Sequence, residues 1–223
     1  MTLKKRKKII TVAIDSPAAA GAGTQAKYIA KEYNLLYLDT GKIYRFLGKL
    51  KLDKKKFSYN YVQNKIDKLT LKDLNKKELL SDKIAQAASI IAKDKRIRIL
   101  VKKFQKNCAY NPPSNFSGSV LDGRDITSVI MKDAMFKFFI TASLKVRSKR
   151  RFLEFKRLGK KIPYKLVVKS LRNRDNLDKK RRYSPLKKTK DSILINTSKL
   201  SKKACFKKIK AIMDKKILIN GNL

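Results

Sequence analysis

The chain has 223 residues, and its 43% hydrophobic content is enough to build one full-sized core. Histidine is absent and the two cysteines, Cys108 and Cys205, lie about 100 positions apart, which argues against a disulfide scaffold and a His/Cys metal site. Any bound metal must therefore have oxygen ligands. No apolar run has the length of a membrane span, and the basic start lacks the features of a signal peptide, so we expect a soluble, cytoplasmic protein.

The net charge is +41, from 58 lysine and arginine residues against 17 aspartate and glutamate residues. Such a charge is typical of a protein that binds a polyanion, because basic residues displace counterions from a nucleic-acid backbone. The basic residues are spread from Lys4 to Lys216, however, and only 13 of them are arginine. This spread favours a general drift toward lysine. Where arginine is retained, a guanidinium is expected to be needed, since its planar fork binds phosphate through two parallel hydrogen bonds.

The first predicted element is a strand buried on both faces, "IITVAI", from Ile9 to Ile14. A glycine-containing turn, Ser16 to Thr24, separates this strand from a helix that the apolar spacing places at Thr24 to Tyr33. A strand, a glycine turn and a helix in this order are typical of a phosphate-binding loop.

The next segments are a second strand, "LLYLDTG", and a helix that begins in "KIYRFLGKL". Residues 51–82 are polar, with short alternating pieces, and predict an inserted acceptor-side region built as a hairpin and loop. Helical periodicity returns over 83–110, with a break near Asp94.

Strands three and four are predicted in "SVLDGRD" and "FKFFITAS". Two basic helices follow, the first of which ends at Gly159. The fifth strand lies in "DSILINTSKLS", where Thr197 or Ser198 is expected to cap a last helix that runs to about Lys215. Five apolar strands alternating with helices predict a parallel α/β sheet with helices on both faces, in one domain that spans residues 1–223.

Polar residues follow three of the predicted strands, where ligands bind in sheets of this kind. Asp39 and Thr40 follow the second strand, and Asp122, Arg124 and Asp125 end the third. Turn-forming and helix-capping roles account for any one such turn. Three turns that combine acidic residues with an arginine indicate a binding site.

Four segments at matching spacing carry a resemblance to a known family: "AIDSPAAAGAGTQAKYIAKEYNLLYLDTGKIYR", "AASIIAKDKRIR", "LDGRDITSVI" and "RNRDNLDKKRRYSPL". The chain resembles the cytidylate kinases from about Ile9 to the last helix, and "YLDTGKIYR" and "DGRD" are specific to that family among phosphate-loop enzymes. The resemblance implies a monomeric phosphate-loop kinase that transfers the terminal phosphoryl group of ATP to CMP and dCMP with Mg²⁺.

The resemblance also assigns residues to the ATP side. The loop that would bind ATP consists of Ser16, Pro17, Ala18, Ala19, Ala20, Gly21, Ala22, Gly23 and Thr24. Thr24 and Asp122 would hold Mg²⁺, partly through water. A mobile lid is implied at about 147–182, with Arg147, Arg150 and Arg151 at its start.

On the acceptor side, the residues implied for CMP are Thr40, Tyr44, Arg45, Ser89, Arg98, Arg124, Asp125, Asp178 and Arg181. The residues implied in catalysis are Arg124, Arg147, Arg174 and Arg181. Structural roles stay open for several of them. Arg150 and Arg151 are also compatible with solvated helix positions, Ser89 with helix packing, and Tyr44 with the core.

The phosphate loop departs from the family pattern GPxxxGKGT in two places, with Ser16 for the first glycine and Ala22 for the lysine. Ser16 costs about 1 kcal/mol if its φ must be positive. Loss of the lysine removes a charge from the β and γ phosphates, and removal of one such contact costs roughly 3–4 kcal/mol.

Three hypotheses follow from the missing lysine. The protein is an active kinase in which a lid arginine or Lys27 supplies the charge, a nucleotide-binding relic without turnover, or a basic nucleic-acid-binding protein. The first is favoured because the acceptor-side residues are complete. In that kinase the acceptor base would be recognised by hydrogen bonds, which leave buried polar groups unpaired when the wrong base is bound.

Overall fold

The first strand, β1 (Ile10–Asp15), lies at the centre of a five-stranded parallel sheet, and all six of its residues are buried. The computed structural model describes residues 9–53 and 57–219. The other strands are β2 (Leu35–Asp39), β3 (Gly118–Gly123), β4 (Phe136–Thr141) and β5 (Ile193–Asn196). Their order in the sheet is β2-β3-β1-β4-β5, and every pair is parallel. The predicted parallel α/β fold is confirmed.

Eight α-helices lie within the described ranges. They are α1 (Ala22–Glu32), α2 (Thr40–Asp53), α3 (Tyr59–Asp67), α4 (Asp82–Ile91), α5 (Lys95–Tyr110), α6 (Leu144–Arg157), α7 (Tyr164–Lys180) and α8 (Lys202–Ile219). Two short 3₁₀ helices, Asp73–Asn75 and Lys77–Leu80, and a π-helix, Ile126–Ile130, complete the set. In the part of the chain that the structure describes, every helix is too short or too polar to cross a bilayer.

The helices cover both faces of the sheet, as the buried-strand pattern predicts. Helices α2, α3 and α5 pack on one face around Leu121, and α1 and α8 pack on the other around Val120. A third, small apolar cluster joins α6 and α7 to Ala18 in the loop after β1. Helices α6 and α7 are therefore attached directly to that loop.

The prediction of a hairpin in 51–82 is wrong, since the described residues of this segment form α3 and two 3₁₀ helices and contain no strand. Ser58 caps α3 by accepting a hydrogen bond from the Tyr61 N–H at 3.3 Å. Val62 and Ile66, one helical turn apart, are buried in the core. This helical spacing outweighs the short alternation that suggested a hairpin.

The start of the last helix also differs from the prediction. Helix α8 begins at Lys202, where Ser201 Oγ accepts a hydrogen bond from the Ala204 N–H at 3.1 Å. The Thr197 hydroxyl instead donates to the carbonyl of Ala20, 2.9 Å away. The residue that was predicted to cap α8 thus contacts the loop after β1.

Helices α2 and α4 cross at Gly48. A Cβ atom at this position would lie 2.8 Å from the Ile84 carbonyl oxygen and 2.9 Å from the Ala88 nitrogen. The absence of a side chain therefore sets the separation of the helices that carry Tyr44, Arg45 and Ser89.

The Asp15 carboxylate joins the end of β1 to the segment after β3. It is fully buried and accepts hydrogen bonds from the Ile126 N–H at 2.8 Å and from the Thr127 N–H and hydroxyl at 2.9 and 2.6 Å. Burial raises the pKa of Asp15 to about 6, although the bond from the Thr127 hydroxyl opposes this effect.

Gly48→Ala is expected to destabilise the protein, because the new methyl group must push α2 and α4 apart. Overpacking of this kind costs about 1–3 kcal/mol. For a chain of this length the melting temperature should fall by roughly 3–10 °C. Lys51→Ala, at an exposed position of the same helix, is the control. Equal melting temperatures for the two variants would contradict the close crossing at Gly48.

The contribution of Asp15 to the free energy of unfolding is expected to decrease as the pH rises. Because its pKa is raised on folding, the folded protein binds more protons than the unfolded chain between about pH 4 and 6. The contribution of Asp15 to the free energy of unfolding therefore falls as the pH rises through this window. The native value minus that of Asp15→Asn should fall by up to about 3 kcal/mol, measured by urea unfolding.

The exposed Asp191 supplies a control of opposite sign. Hydrogen bonds from Lys137 and Thr189 lower the pKa of Asp191, so its contribution is lost as the pH falls. The native value minus that of Asp191→Asn should therefore rise with pH. If the two differences in the free energy of unfolding changed with pH in the same direction, the raised pKa of Asp15 in the folded protein would be refuted.

Candidate active site

The register of the sheet brings three loops together at one edge. Asp122 on β3 pairs with Ile14 on β1 and with Asp39 on β2, so the residues that follow these strands are neighbours. The phosphate loop, residues 16–24, follows β1 and leads into α1. The Ser16 N–H donates to the Gly123 carbonyl at 3.2 Å, which fixes the start of this loop against β3.

The backbone of the phosphate loop turns through two left-handed residues, Ala19 with φ 60° and Gly21 with φ 98°. Ser16 does not have a positive φ, so the strain expected at Ser16 lies at Ala19 instead. Gly21 precedes α1, which has no side-chain cap and no acidic residue in its first turn. The first N–H groups of α1 are therefore available for an anion, and the helix dipole favours one there.

The alanine side chains of the phosphate loop are packed into the protein. Ala20 and Ala22 belong to the core between the sheet and helices α1 and α8, and Ala22 is only 5% exposed. Ala18 packs against Val167 and Leu171 of α7. The loop thus offers backbone N–H groups and the Thr24 hydroxyl, without a side-chain cation of its own.

Asp122 lies beside the start of α1. Its Oδ1 accepts a hydrogen bond from the Tyr37 hydroxyl at 3.3 Å, and its Oδ2 lies 3.3 Å from the place of a Cβ on Gly23. Burial and the nearby Asp39 raise the pKa of Asp122, whereas Arg124 and Lys27 oppose this effect. A cation beside Asp122 would likewise favour its charged form.

This arrangement fits an Mg²⁺ ion that takes most of its ligands from water and bound phosphate. No cluster of three or more acidic or cysteine side chains able to hold a metal occurs among the described residues. Mg²⁺ usually keeps several waters and takes one or two protein oxygens together with phosphate oxygens. The Asp122 carboxylate on β3 and the Thr24 hydroxyl in the first turn of α1 are oxygen ligands of this type.

On the acceptor side, Arg98 and Asp125 form an ion pair in which both side chains are 9% exposed. Arg98 also donates to the Ala92 carbonyl at 3.2 Å, and its guanidinium lies 5.6 Å from the centre of the Tyr44 ring. Ser89 donates to the Ala85 carbonyl one turn earlier in α4, 3.0 Å away. Thr40 donates to the Asp122 carbonyl at 2.8 Å, which joins α2 to β3.

Guanidinium groups gather around Asp178 of α7. Arg124 donates to Asp178 Oδ2 at 2.8 Å, and Arg181 Nη1 lies 3.7 Å from Asp178 Oδ1. Arg181 Nη2 is buried and has no hydrogen-bond partner among the described residues. Burial, and the charges of Arg124 and Arg45, lower the pKa of Arg174 to about 10. The group therefore has an excess of positive charge and an unused buried donor, which suit the binding of an anion.

Arg45 of α2 points toward the segment before α4. Its guanidinium donates to the Leu79 carbonyl at 2.9 Å and to the Ser81 carbonyl at 3.5 Å. The positive charge of Arg45 also contributes to the lowered pKa of Arg174, so the two guanidinium groups repel each other.

Three of the four arginines of α6, those near its start, have different surroundings. Arg147 is buried, forms a two-bond pair with Asp175 at 3.0 and 2.5 Å, and donates to the Ala18 carbonyl at 3.1 Å. Arg150 donates to the Ala20 carbonyl and to Thr197. Arg151 instead pairs with Glu154 on its own helix. Arg150 is thus not a merely solvated residue.

Sequence reasoning missed four residues that shape this site: Asp15, Tyr37, Asp175 and Thr197. Asp15 directly follows the predicted first strand and Tyr37 lies within the predicted second strand, and a polar side chain at such a position was itself a signal. Nothing in the sequence pairs Arg147 with Asp175, 28 positions away, or Thr197 with Ala20, 177 positions away.

The chain is similar to known proteins over most of its length. A family model described as cytidylate kinase matches residues 12–215. A cytidylate kinase of Bartonella henselae is 39% identical over 213 residues, 93% of this chain and 95% of that protein. A cytidylate kinase of Clostridium tetani is 35% identical over 224 residues, 94% of this chain and 96% of that protein.

A solved structure of an uncharacterised protein from Eubacterium ventriosum superposes with a TM-score of 0.53 and 18% identity, over 92% of this chain and 98% of that one. At this identity the similarity concerns the fold alone. The family match spans the loop after β1, helices α2 to α7 and most of α8, and the relatives align along nearly their whole length. The chain therefore belongs to the cytidylate kinase family.

Proposed function

We propose that this protein transfers the terminal phosphoryl group of ATP to CMP and dCMP, giving ADP and the corresponding nucleoside diphosphate. The observation that carries the proposal is the group of arginines around Asp178, with one buried guanidinium nitrogen of Arg181 that has no partner in the described residues. A phosphate is the anion that a planar fork of donors binds best.

On the donor side, the N–H groups of the phosphate loop and the start of α1 would bind the ATP phosphates. Thr24 and Asp122 would hold Mg²⁺, Asp122 partly through water, and the ion would neutralise charge on the phosphates when bound. Arg124 and Arg174 would stabilise the charge that develops on the transferred group. Catalysis of this kind depends on positioning and electrostatics, which these residues supply together.

On the acceptor side, Asp125, Arg98 and Ser89 would recognise cytosine, and Thr40, Tyr44 and Arg45 would form the wall for the rest of the nucleotide. The buried pair of Arg98 and Asp125 has its polar atoms already fixed in place. A base that failed to complete their hydrogen bonds would leave buried polar groups unpaired, and discrimination of this kind is strong. Asp178 and Arg181 would bind the ribose and phosphate.

The lid at about 147–182 would close over ATP and exclude water. Its helices, α6 and α7, already contact the phosphate loop through Arg147 and through the packing of Ala18 on Val167. The protein would act as a monomer, as the resemblance to the cytidylate kinases implies.

Arg181→Ala is expected to abolish most of this activity. Loss of one buried charged contact to the transferred or acceptor phosphate costs about 10²–10³ in kcat/KM for CMP. The measurement is ADP release in a coupled assay with ATP, Mg²⁺ and each of CMP, dCMP, UMP and AMP. Arg182→Ala is the matched control, because Arg182 is the adjacent arginine and is exposed.

Three outcomes would contradict the proposal. Equal turnover of AMP and CMP would remove the cytosine-reading role of the acceptor side. Equal losses in Arg181→Ala and Arg182→Ala would show that the Asp178 group does not bind the reacting phosphates. A native protein whose melting temperature rises with nucleotide but which forms no product would be a nucleotide-binding relic.

A further inference from the structure

We propose that Arg150 is a positioning residue that takes over part of the role of the missing loop lysine, from behind the phosphate loop. It would fix the direction of the loop's N–H groups and place an uncompensated positive charge next to Gly21. This inference rests on the proposed kinase function, because it concerns the donor phosphates of that reaction.

Arg150 and Thr197 together hold one carbonyl of the loop. Arg150 Nη1 donates to the Ala20 carbonyl at 3.3 Å, and the Thr197 hydroxyl donates to the same oxygen at 2.9 Å. Arg150 in turn is held by Thr197, through Nη1 to the hydroxyl at 2.8 Å and Nη2 to the carbonyl at 2.7 Å. The three groups form a closed set of hydrogen bonds.

The hydrogen bonds to the Ala20 carbonyl also determine the direction of the Gly21 N–H group. In a planar trans peptide the carbonyl of one residue and the N–H of the next point in opposite directions. With the Ala20 carbonyl held toward α6, the Gly21 N–H must point away from α6, toward the inside of the loop. Arg147 does the same for Ala19 by holding the Ala18 carbonyl at 3.1 Å.

The loop needs such support because it has little of its own. Ala19 adopts a left-handed conformation that is unfavourable for a residue with a side chain. The hydrogen bond within the turn, from the Ala20 N–H to the Pro17 carbonyl, is long at 3.4 Å. A lysine at position 22 would bind the phosphates directly, whereas Ala22 leaves their binding to correctly oriented N–H groups.

Arg150 and Arg147 also differ in whether a carboxylate balances their positive charge. The charge of Arg147 is balanced by Asp175, whereas no carboxylate of the described residues lies within 4 Å of the Arg150 guanidinium. Arg150 Nη1 lies 3.9 Å from the place of a Cβ on Gly21. Lys27, the other cation considered at the start of α1, is exposed and acts on Asp122. Arg150 thus lies beside the loop in a fixed position, with no balancing carboxylate among the described residues.

The test is a cycle of Arg150→Gln, Ala22→Lys and the double variant, assayed for ATP and CMP kinetics. Loss of a charge-assisted contact should raise the ATP KM or lower kcat by about 10- to 100-fold, with the CMP KM unchanged within about twofold. Ala22→Lys should restore about tenfold in the Arg150→Gln background, and add less than about threefold to the native protein. Arg157→Gln, an exposed arginine on α6, is the control.

The outcomes separate this proposal from a merely structural role and from failure of the kinase proposal. The positioning role of Arg150 would be refuted if Arg150→Gln raised the KM for ATP and the KM for CMP equally. It would also be refuted if Ala22→Lys restored no activity to a folded Arg150→Gln protein. If the native protein does not phosphorylate CMP, the kinase proposal fails, and Arg150 is judged by melting shifts. Arg150→Gln should then lose the shift with ATP and keep the shift with CMP; an unchanged ATP shift would refute it.

Should Arg150→Gln fail to fold, Arg150→Lys replaces it in the same cycle. A lysine keeps the charge but cannot bond Ala20 and Thr197 together as a guanidinium does. The ATP KM of Arg150→Lys should rise by roughly threefold to tenfold while the CMP KM stays constant. An ATP KM equal to that of the native protein would contradict the positioning role.

Discussion

The site depends first on the hydrogen bonds that Asp15 accepts at the end of the central strand. Asp15 immediately precedes the phosphate loop, and its partners Ile126 and Thr127 immediately follow Arg124 and Asp125. One buried carboxylate thus sets the distance between the loop proposed for the donor phosphates and the residues proposed for the acceptor. Phosphoryl transfer requires both nucleotides at a fixed separation, so under the proposed function these hydrogen bonds would have a catalytic role as well as a structural one.

The fold was predictable from sequence because parallel strands buried on both faces have an unambiguous composition, as in "IITVAI". The position of the site was predictable for a related reason, since ligands bind where such strands end. The segment 51–82 was not predictable in the same way. Its helix α3 is recognised by Val62 and Ile66, whose burial depends on core residues that are distant in the chain.

Contacts between distant side chains set the other limit on prediction. The motif residues Arg124 and Arg181 were expected near phosphate, but their shared partner Asp178 and the unpartnered nitrogen of Arg181 depend on how α7 packs. Thr197 was expected to cap a helix because threonine commonly does so. Its actual partner, the Ala20 carbonyl, lies in the loop after β1, two strands away in the sheet, and Ser201 caps α8 instead.

The distribution of guanidinium groups explains how a lysine-rich chain retains a defined site. Arg98, Arg124 and Arg147 each bind a carboxylate with one edge and a backbone carbonyl with another, so that each fixes two elements at once. An ammonium group lacks the planar fork for such bridging. Under the proposed function, a phosphate loop without a lysine would bind phosphate mainly through the orientation of its backbone N–H groups. Preorganised N–H groups stabilise developing charge without reorganisation, so the shape of the loop would determine how much activity this chain has.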